Sequence, residues 1–500
     1  MSYQYDFIII GSGLGGLLCG ALMAKHGMKI LILEKNHQYG GSLQSYNRKG
    51  FYFGTGLHYL GDLDEGQPLH KIFKYFGLFD DINYQRLDDT GFDVFNIGGN
   101  EYKFPIGWNS FREKMVEYFP DEEPAIDGYI KEIQKVVELQ ELNLLNANDN
   151  NEININEYHT INTWEFIRSL TSNKKLQQVL SALNFVYGGV KSKSPLYVHA
   201  LINNHYISGA YRVIGRTSQI SEKLVSQIVD KGGEVITNSA VVSIDTSDDL
   251  VKSVKTIKGD VFTAKNFISN VHPSTTMSLI PDGGIKKSFR NRMNRTENTL
   301  SAFAINLVLK DNCFKYRNYN YNYYKGDDVW YASNYNSDTW PEHYFMYCNV
   351  PQNGSEYAKC IGLLTHMEYA EVAKWKDIDS KKRGAGYKNF KEEKAQKLIE
   401  LASKQFPELK ESIDSYYVST PLTYLDYLGS PKGSMYGTLR DHKNPLGSYI
   451  HPRTKLGNLF FTGQNLNLHG ILGVSLSAII TCGEFFGKDN ILKEINLDDN

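Results

Sequence analysis

The chain has 500 residues, more than one hydrophobic core usually serves, so we expect two domains. Its 54 Lys and Arg nearly balance its 56 Asp and Glu, which excludes the broad basic surface that binds a nucleic-acid backbone. The five cysteines are odd in number, far apart and without a C-x-x-C pair, so neither a zinc site nor a disulfide framework is expected. These features predict a cytoplasmic protein with no metal and no nucleic-acid partner.

The first predicted element is a strand, followed by a glycine turn and a helix. Residues 7–10 (FIII) are apolar and largely β-branched, as in a parallel strand covered on both faces. The turn that follows contains Gly11, Gly13, Leu14, Gly15 and Gly16. Its first glycine permits the sharp turn, the second a close approach to a pyrophosphate, and the last close packing of helix on strand. The helix N-terminus would add free N–H groups for the pyrophosphate.

A second strand, residues 29–34 (KILILE), ends in Glu34, which lies 23 residues after Gly11. A carboxylate at this offset can accept hydrogen bonds from the two ribose hydroxyls of an adenosine, and it would repel a 2′-phosphate. The site should therefore bind FAD or NAD and not NADP, with Glu34 and the adjacent Lys35 at the nucleotide.

A second glycine pair, Gly40 and Gly41, precedes the stretch GFYFGTGLHY (residues 50–59). This layout resembles FAD enzymes of the amine oxidase and phytoene desaturase superfamily, in which the second pair lets the chain pass close to the pyrophosphate. Most members of that superfamily place an arginine directly after the pair, where this chain has Ser42. The resemblance implies FAD as the cofactor, with Gly40, Gly41 and Ser42 near its diphosphate.

A middle segment supplies a third predicted part of the nucleotide domain. An amphipathic helix with apolar positions from Ile220 to Val229 precedes the stretch EVITNSAVVSI (residues 234–244), which is predicted to be one strand. In the superfamily that strand contacts adenine through its main chain, which the resemblance places at Val242. The stretch VFTAKNFISNVHP (residues 261–273) then predicts a strand that returns to the nucleotide domain.

The C-terminal segment predicts a strand from Leu459 to Thr462, a turn at Gly463, and a helix from about Gly470 to Phe486. Directing the N-terminus of this helix at the flavin N1 and C2 carbonyl would favour the negative charge that builds there on reduction. Small residues at Gly473, Ser475 and Ala478 would let the helix lie close to the ring, with Gly473 and Val474 at the cofactor. Gln464 and Asn465 stand where relatives usually carry an acid that holds the ribityl hydroxyls.

The predicted fold class is therefore α/β, with a Rossmann-type FAD-binding domain assembled from the discontinuous segments 1–75, 205–290 and 455–500. Segments 76–204 and 291–454 would form an α+β substrate domain with a mixed sheet, as in amine oxidases and phytoene desaturases. The run NANDNNEININ (residues 146–156) has few apolar residues and is predicted to be a solvated loop.

Several stretches narrow the resemblance, including GTGLHYLGD, HALINNHYISGAY and TPLTYLDYLGSPKGSMYG. They resemble the retinol saturase branch of the phytoene desaturase and carotenoid isomerase flavoproteins. The implied activity is saturation, desaturation or isomerisation of a C=C bond in a conjugated polyene or isoprenoid lipid. Saturation needs a proton donor, and the candidates are His58, Tyr59, His205 and Tyr206; the alternative for each is a hydrogen-bonded wall residue.

The implied partners are an apolar polyene or isoprenoid lipid, an external electron donor or acceptor, and a membrane surface touched peripherally. Two other classes stay open from the sequence. A lipid carrier of the GDP-dissociation-inhibitor type would share the fold without flavin catalysis. A flavin amine oxidase would share the cofactor but release hydrogen peroxide with amines.

Overall fold

The computed structural model of the chain describes residues 3–145, 156–351, 354–466 and 468–497. The loop predicted over 146–156 lies outside the described residues except for Asn156. The described part of the chain forms strands and α-helices in alternation, together with short 3₁₀ turns such as Ala182–Tyr187.

The strands are, in chain order, β1 (Tyr5–Ile10), β2 (Ile30–Leu33), β3 (Ser45–Arg48), β4 (Phe51–Gly54), β5 (Leu60–Gly61), β6 (Tyr84–Arg86), β7 (Asp93–Ile97), β8 (Asn100–Phe104), β9 (Ala210–Val213), β10 (Glu234–Ile236), β11 (Val241–Ser247), β12 (Leu250–Thr256), β13 (Val261–Phe262), β14 (Ala264–Ser269), β15 (Ser301–Leu309), β16 (Asn320–Tyr324), β17 (His343–Cys348), β18 (Cys360–Met367), β19 (Ile413–Ser419) and β20 (Leu459–Phe461).

The helices are α1 (Leu14–Lys25), α2 (Pro68–Tyr75), α3 (Trp108–Tyr118), α4 (Glu123–Leu145), α5 (Thr163–Leu170), α6 (Lys174–Leu180), α7 (Leu196–Ile207), α8 (Ser218–Asp230), α9 (Pro273–Leu279), α10 (Lys287–Arg295), α11 (Gly384–Ser403), α12 (Leu409–Ser412), α13 (Pro421–Leu428), α14 (Pro445–Ser448), α15 (Gly470–Phe486) and α16 (Lys488–Leu497).

A five-stranded parallel sheet has the order β10-β2-β1-β14-β20. Its central strands β1 and β2 are almost wholly buried, because their runs of Ile and Leu are covered on both faces. The five strands come from three stretches of chain that are far apart in sequence. This is the discontinuous Rossmann-type architecture that the sequence predicts.

The prediction of a single strand over residues 234–244 is wrong. The chain forms β10, which completes the parallel sheet, and then β11, which begins a separate antiparallel sheet with β12 and β13. Asn238, in the connection, adopts a left-handed conformation with φ 50°, which turns the backbone out of the first sheet. Ser239 N donates to the Glu34 carbonyl, so the turn stays beside the end of β2.

A second, seven-stranded sheet has the order β19-β15-β18-β17-β16-β7-β8, with one parallel pair between β16 and β7. Its remaining pairs are antiparallel. The predicted fold class, α/β with a Rossmann-type sheet and a second, mixed sheet, is therefore confirmed.

Side chains of β17 alternate between the two faces of the mixed sheet. Phe345 and Tyr347 join the core that includes α4 and α7, whereas Tyr344 and Met346 join the core against α11. The His343 ring packs against Phe185, so it lies on the same side as Phe345. We call the side that carries His343, Phe345 and Tyr347 the inner face.

Within the described residues, no single helix has both the length and the apolarity to cross a membrane. Helices α15 and α16 pass that test only as a pair, with a bend of 119° between them.

Candidate active site

The two ends of the chain meet at Gly15 and Gly463. A Cβ built on Gly15 would lie 2.9 Å from the Gly463 Cα, so only glycine fits there without a shift of the backbone. The Cys19 Sγ of α1 lies 3.5 Å from Thr462 Oγ1 and 3.7 Å from the Ala478 carbonyl oxygen of α15. Helices α1 and α15 therefore pack side by side, and the predicted N-terminal and C-terminal motifs share one site.

The first glycine turn is held by Asn270, which the sequence analysis missed. Asn270 Nδ2 donates to the Gly11 carbonyl at 3.3 Å. A Cβ on Gly13 would stand 2.9 Å from that nitrogen, and one on Gly16 only 2.4 Å from the Gly11 oxygen. The available signal was the position of Asn270 directly after the apolar strand β14, because parallel strands end at the same edge of a sheet.

Glu34 is buried at the end of β2 and bound to the first turn. One carboxylate oxygen accepts from Ser12 N at 3.0 Å and Ser12 Oγ at 2.5 Å, and the other accepts from Asn36 N at 2.8 Å. A carboxylate offers about four acceptor sites, so capacity for a ribose hydroxyl remains. Ser12, which the sequence analysis also missed, fixes the orientation of this carboxylate.

The second glycine pair lies directly on the first turn. Gly40 forms a parallel bridge with Gly13, and a Cβ on Gly41 would be 3.0 Å from the Gly13 Cα. Gly40 and Gly41 have φ values of 109° and 55°, which favour glycine. Ser42 is exposed beside the pair, and its carbonyl accepts from Thr55 Oγ1 at 3.2 Å.

Helices α1 and α15 both begin without a side-chain cap from the described residues. Helix α1 follows Gly13, and helix α15 follows His469. Uncapped N-termini present free N–H groups and a positive dipole end to an anion. The residues present therefore fit FAD: the backbone at Gly13 and Gly41 for the diphosphate, Glu34 for the ribose, and α15 for the flavin.

The contacts of Lys35 and Val242 involve parts of the molecule other than the glycine turns. Lys35 Nζ donates to the Asp426 carbonyl at the end of α13, at 2.8 Å. The Val242 side chain is 45% exposed on β11, while its neighbour Val241 packs against the core. Contacts of Lys35 and of the Val242 main chain with the nucleotide remain predictions.

Gln464 and Asn465 follow Gly463, as the sequence predicts, but Asn465 is engaged within the protein. Its Oδ1 accepts from Thr438 N at 3.1 Å and Thr438 Oγ1 at 3.2 Å. Gln464 is half-buried. The contact of Gln464 and Asn465 with the ribityl chain remains a prediction.

The small residues of α15 mostly serve packing within the protein. A Cβ on Gly473 would lie 2.6 Å from the Leu468 carbonyl carbon, so this glycine lets the preceding loop fold back on the helix. Ala478 contacts α1 through Cys19, as described above. Val474 is half-buried against the core of the parallel sheet.

Tyr59 and Tyr206 stack at the inner face, with ring centroids 4.2 Å apart and planes at 19°. Tyr59 also stacks on Phe345 at 5.9 Å, and its Oη donates to Asp93 Oδ2 at 3.1 Å. Burial raises the pKa of the fully buried Asp93 to about 7, and it raises the pKa of Tyr59 well above its usual value. Asp93, absent from the sequence candidates, can thus keep a proton near neutral pH.

A buried polar chain continues from Asp93 to Arg212. Asp93 and Asn320 are paired neighbours on β7 and β16, and Arg212 Nη2 donates to Asn320 Oδ1. Asp93 Oδ1, Asn320 Nδ2 and Arg212 Nη1 are buried and have no hydrogen-bond partner among the described residues. Buried polar atoms are normally satisfied, so this chain has room for water or a ligand oxygen.

His58 lies at the outer end of this chain, beside a cavity that Arg212, Thr217 and Tyr347 also line. The His58 ring packs at a tilt of 34° against Tyr347, with centroids 4.6 Å apart, and Arg212 Nε donates to the His58 carbonyl at 3.2 Å. Burial, with a smaller effect of the Arg212 charge, lowers the pKa of His58 to about 3. A neutral imidazole is a poor proton donor, so His58 fits the wall-residue alternative.

His205 also fits the wall-residue alternative, because both of its ring nitrogens are engaged. Nε2 accepts from Gly61 N at 2.9 Å, which fixes the remaining proton on Nδ1. Nδ1 lies 2.6 Å from Asp62 Oδ2 and donates to it. This arrangement ties α7 to β5 and leaves no proton of the ring directed at a substrate.

A model of the family described as flavin containing amine oxidoreductase matches residues 14–357. The chain belongs to this family. The flavoprotein is 27% identical to the all-trans-retinol 13,14-reductase of Danio rerio, over 97% of this chain and 86% of that protein. It is 24% identical to the chloroplastic prolycopene isomerase of Daucus carota, over 96% of this chain and 79% of that protein.

A mutant putrescine oxidase superposes on the flavoprotein with a TM-score of 0.66 and 13% identity, covering 98% of this chain and 99% of that chain, which shows a common fold. The predicted resemblance to the retinol saturase branch is confirmed by the relatives. The expected FAD cofactor and the expected oxidoreductase class are confirmed as well.

Proposed function

We propose that this flavoprotein acts on a C=C bond of a conjugated polyene or isoprenoid lipid, such as a retinoid or a carotenoid. The similarity to a retinol reductase and to a prolycopene isomerase supports this substrate class. The observation that carries the proposal is the row of stacked rings at the inner face, from Tyr206 through Tyr59 to Phe345. Flat aromatic walls bind flat apolar chains through face and edge contacts.

FAD, when bound, supplies hydride exchange with the substrate carbon, which is the chemistry of the cofactor. The chain would bind it through Gly13, Gly41 and Glu34, and would exclude water with the rings of Tyr59 and Tyr206. In a saturation reaction a second carbon must receive a proton. We assign that step to Tyr59 Oη, with the Asp93 carboxyl replacing the proton at the same oxygen.

Asp93 is needed because Tyr59 alone is too weak an acid. Burial raises the pKa of the phenol, so its proton leaves readily only when another arrives at Oη. Tyr59 Oη donates to Asp93 Oδ2 over 3.1 Å; when Asp93 is protonated, its O–H can donate to Oη across the same contact and provide that proton. The polar chain through Asn320 and Arg212 would connect Asp93 to the cavity at His58, from which water can reprotonate it.

The test is a mass balance on the polyene. Purified holoenzyme, reduced anaerobically with dithionite, is incubated with all-trans-retinol or with lycopene, and the products are separated by mass and by isomer. A gain of two mass units identifies a saturase, a loss with oxidised enzyme a desaturase, and an unchanged mass with a new isomer an isomerase. Unchanged polyene in every arm contradicts the proposal, and hydrogen peroxide release with amines identifies an amine oxidase instead.

A matched pair of variants separates an effect on the proton transfer from an effect on folding. Tyr59→Phe removes the proposed donor, whereas Tyr344→Phe removes a buried hydroxyl on the opposite side of the mixed sheet. We expect a loss of about 10²-fold to 10⁴-fold in saturation for the first, the usual contribution of a general acid. The second should retain wild-type turnover. A bound flavin that dithionite cannot bleach would favour a lipid carrier.

The partners and location remain part of the proposal. Among the described residues we identify one dinucleotide site, so electrons would come from an external donor or go to an external acceptor. A cytoplasmic location with peripheral contact to a membrane agrees with five free cysteines and with a lipid substrate. Flotation of the purified protein with phosphatidylcholine vesicles would test the membrane contact.

A further inference from the structure

We propose that His343 and His366 form a polar subsite on the inner face, which hydrogen-bonds a neutral oxygen, a hydroxyl or a carbonyl, at one end of the polyene. The inference rests on the proposed function, since it places the polyene along the rings of this face. It adds the residues that would distinguish an oxygenated polyene from a hydrocarbon.

The two histidines are adjacent and buried. His343 is 1% exposed and His366 is 2% exposed, and their ring centroids are 6.2 Å apart. The register of β17 and β18 pairs Phe345 with Leu364, which continues to His343 opposite His366. Phe185 packs against both rings, at 4.6 Å and 4.9 Å.

The ring nitrogens of both histidines lack hydrogen-bond partners among the described residues. Burial is the largest influence on His366 and lowers its pKa to about 4, whereas an interaction with the Ala332 backbone raises it. A neutral imidazole has one donor and one acceptor, and buried groups of this kind are normally satisfied. Each ring therefore needs a polar atom from a water or a ligand.

Two further orphaned donors lie in the same neighbourhood. Asn184 Nδ2 and Trp330 Nε1 are buried without a partner in the described part of the chain. A Cβ on Gly189 would be 3.0 Å from the Asn184 Cβ and 3.1 Å from Trp330 Cζ3, so these side chains are neighbours. Asn184 precedes Phe185, whose ring touches both histidines. One of these two donors is therefore on the residue next to Phe185, and the other is on a neighbour of that residue.

The residues around the two histidines indicate which kind of ligand would fit. The rings of Phe185 and Tyr324 pack against His343, and Phe345 packs against Phe185, so the body of the ligand should be apolar. Burial lowers the pKa of His343 well below its usual value, so the ring is neutral and gives a carboxylate no counter-charge. An alcohol or an aldehyde fits this subsite better than an acid.

The subsite is connected to the proposed reaction centre by ring contacts. Tyr59 packs on Phe345 at 5.9 Å, Phe345 packs on Phe185 at 6.0 Å, and Phe185 packs on His343. His343 and Phe345 are two residues apart on one strand, which separates their side chains by about 7 Å. The Tyr59 ring and the histidine pair therefore lie along one continuous row of rings, the row on which the proposed function places the polyene.

The first test measures binding to wild-type holoenzyme. All-trans-retinol is compared with axerophtene, in which a hydrogen replaces the hydroxyl, and with retinoic acid. We expect retinol to bind at least about tenfold more tightly than either, the usual effect of one added hydrogen bond. Equal affinity for retinol and axerophtene overturns the inference, because water would then occupy the subsite. If none of the three binds, the inference fails, and the proposed function fails with it only if lycopene does not bind either.

The second test uses variants on one strand. His343→Phe should lower kcat/KM for retinol about tenfold or more and leave kcat/KM for axerophtene unchanged. His343→Gln, which keeps a donor and an acceptor, should recover part of the preference, and Tyr344→Phe on the opposite side should change neither substrate. Equal losses on both substrates, or no loss on retinol, would contradict the assignment while leaving the polyene function intact.

Discussion

Gly15 and Gly463, from opposite ends of the chain, lie in contact beside Asn270. This contact joins the strand-turn-helix at the N-terminus to the helix at the C-terminus, and it has no room for a side chain. The helices that follow these turns, α1 and α15, both begin without a side-chain cap among the described residues. The contact needs both segments, and neither can form it alone.

Gly15→Val should abolish flavin binding. Its side chain would collide with Asn270 Oδ1 at 2.8 Å and with the Gly463 backbone, and overpacking of this kind costs about 1–3 kcal/mol and displaces the backbone. The ratio of absorbance at 450 nm to that at 280 nm measures bound flavin, and we expect less than about a tenth of the wild-type ratio. Gly386→Ala is the control, since a Cβ there meets open space. Full flavin content in Gly15→Val would contradict the shared cradle.

The assignment of Asp93 predicts a pH dependence of saturation. Since burial raises its pKa to about 7, the protonated form that relays to Tyr59 is lost as pH rises through 7. The rate of saturation should therefore fall across that range in wild type. Asp93→Asn should remove this dependence and lower the rate about 10²-fold. Single-turnover rates from pH 6 to pH 9 test the prediction, and an unchanged profile in the variant would exclude Asp93 from the relay.

His205 should prove to be a structural residue. His205→Phe leaves the Asp62 carboxylate and the Gly61 N–H buried without their partner, which costs about 3–5 kcal/mol of unfolding free energy. We expect a lower melting temperature and, below it, a turnover number within about threefold of wild type. His205→Gln should recover part of the stability. A variant with wild-type stability and lost turnover would instead place His205 in the chemistry.

Four buried imidazoles should make the fold acid-sensitive. His199, His343, His366 and His469 are each less than 4% exposed, and burial lowers the pKa of every one. When unfolded they take up protons near pH 6.5, so the free energy of unfolding falls as pH drops below about 6.5. Each ring contributes about 1.4 kcal/mol per pH unit between its two pKa values. Asp93 has the opposite effect on the free energy of unfolding, because its raised pKa favours the folded state at low pH. It is a single group, however, whereas these imidazoles are four.

Thermal unfolding at pH 7, 6 and 5 measures this effect. The melting temperature should fall steeply over that range, and His343→Phe should make the fall shallower. The exposed His37→Gln is the control and should leave the slope unchanged. A melting temperature that does not depend on pH would contradict the neutral state of the buried histidines.

The parts of the fold that local pattern determines could be predicted from the sequence. The apolar run before Gly11 gave β1, and the glycine-led apolar run at Gly470 gave α15 with its observed bounds. The break at Asn238 could not be predicted, because the residues on both sides are equally suited to a strand. Only the hydrogen bonds to Glu34 and Asn36 show where the chain leaves the sheet.

The polar partners of the site were not predictable for a different reason. Asp93 begins an otherwise ordinary buried strand, and its role depends on Tyr59, which comes from another segment. His205 lies in a stretch that suggested a proton donor, yet Asp62 and Gly61 form hydrogen bonds with both of its ring nitrogens. His343 stands alone in an aromatic strand, and its lack of a partner is visible only in three dimensions.

A single turnover under anaerobic conditions tests the central claim most directly. The enzyme-bound FAD is reduced with one equivalent of dithionite and mixed with all-trans-retinol, while absorbance at 450 nm and the mass and isomer of the polyene are followed. We predict that the polyene gains two hydrogens in step with reoxidation of the flavin, or changes isomer on the reduced enzyme. A flavin that stays reduced beside an unaltered polyene would contradict the account.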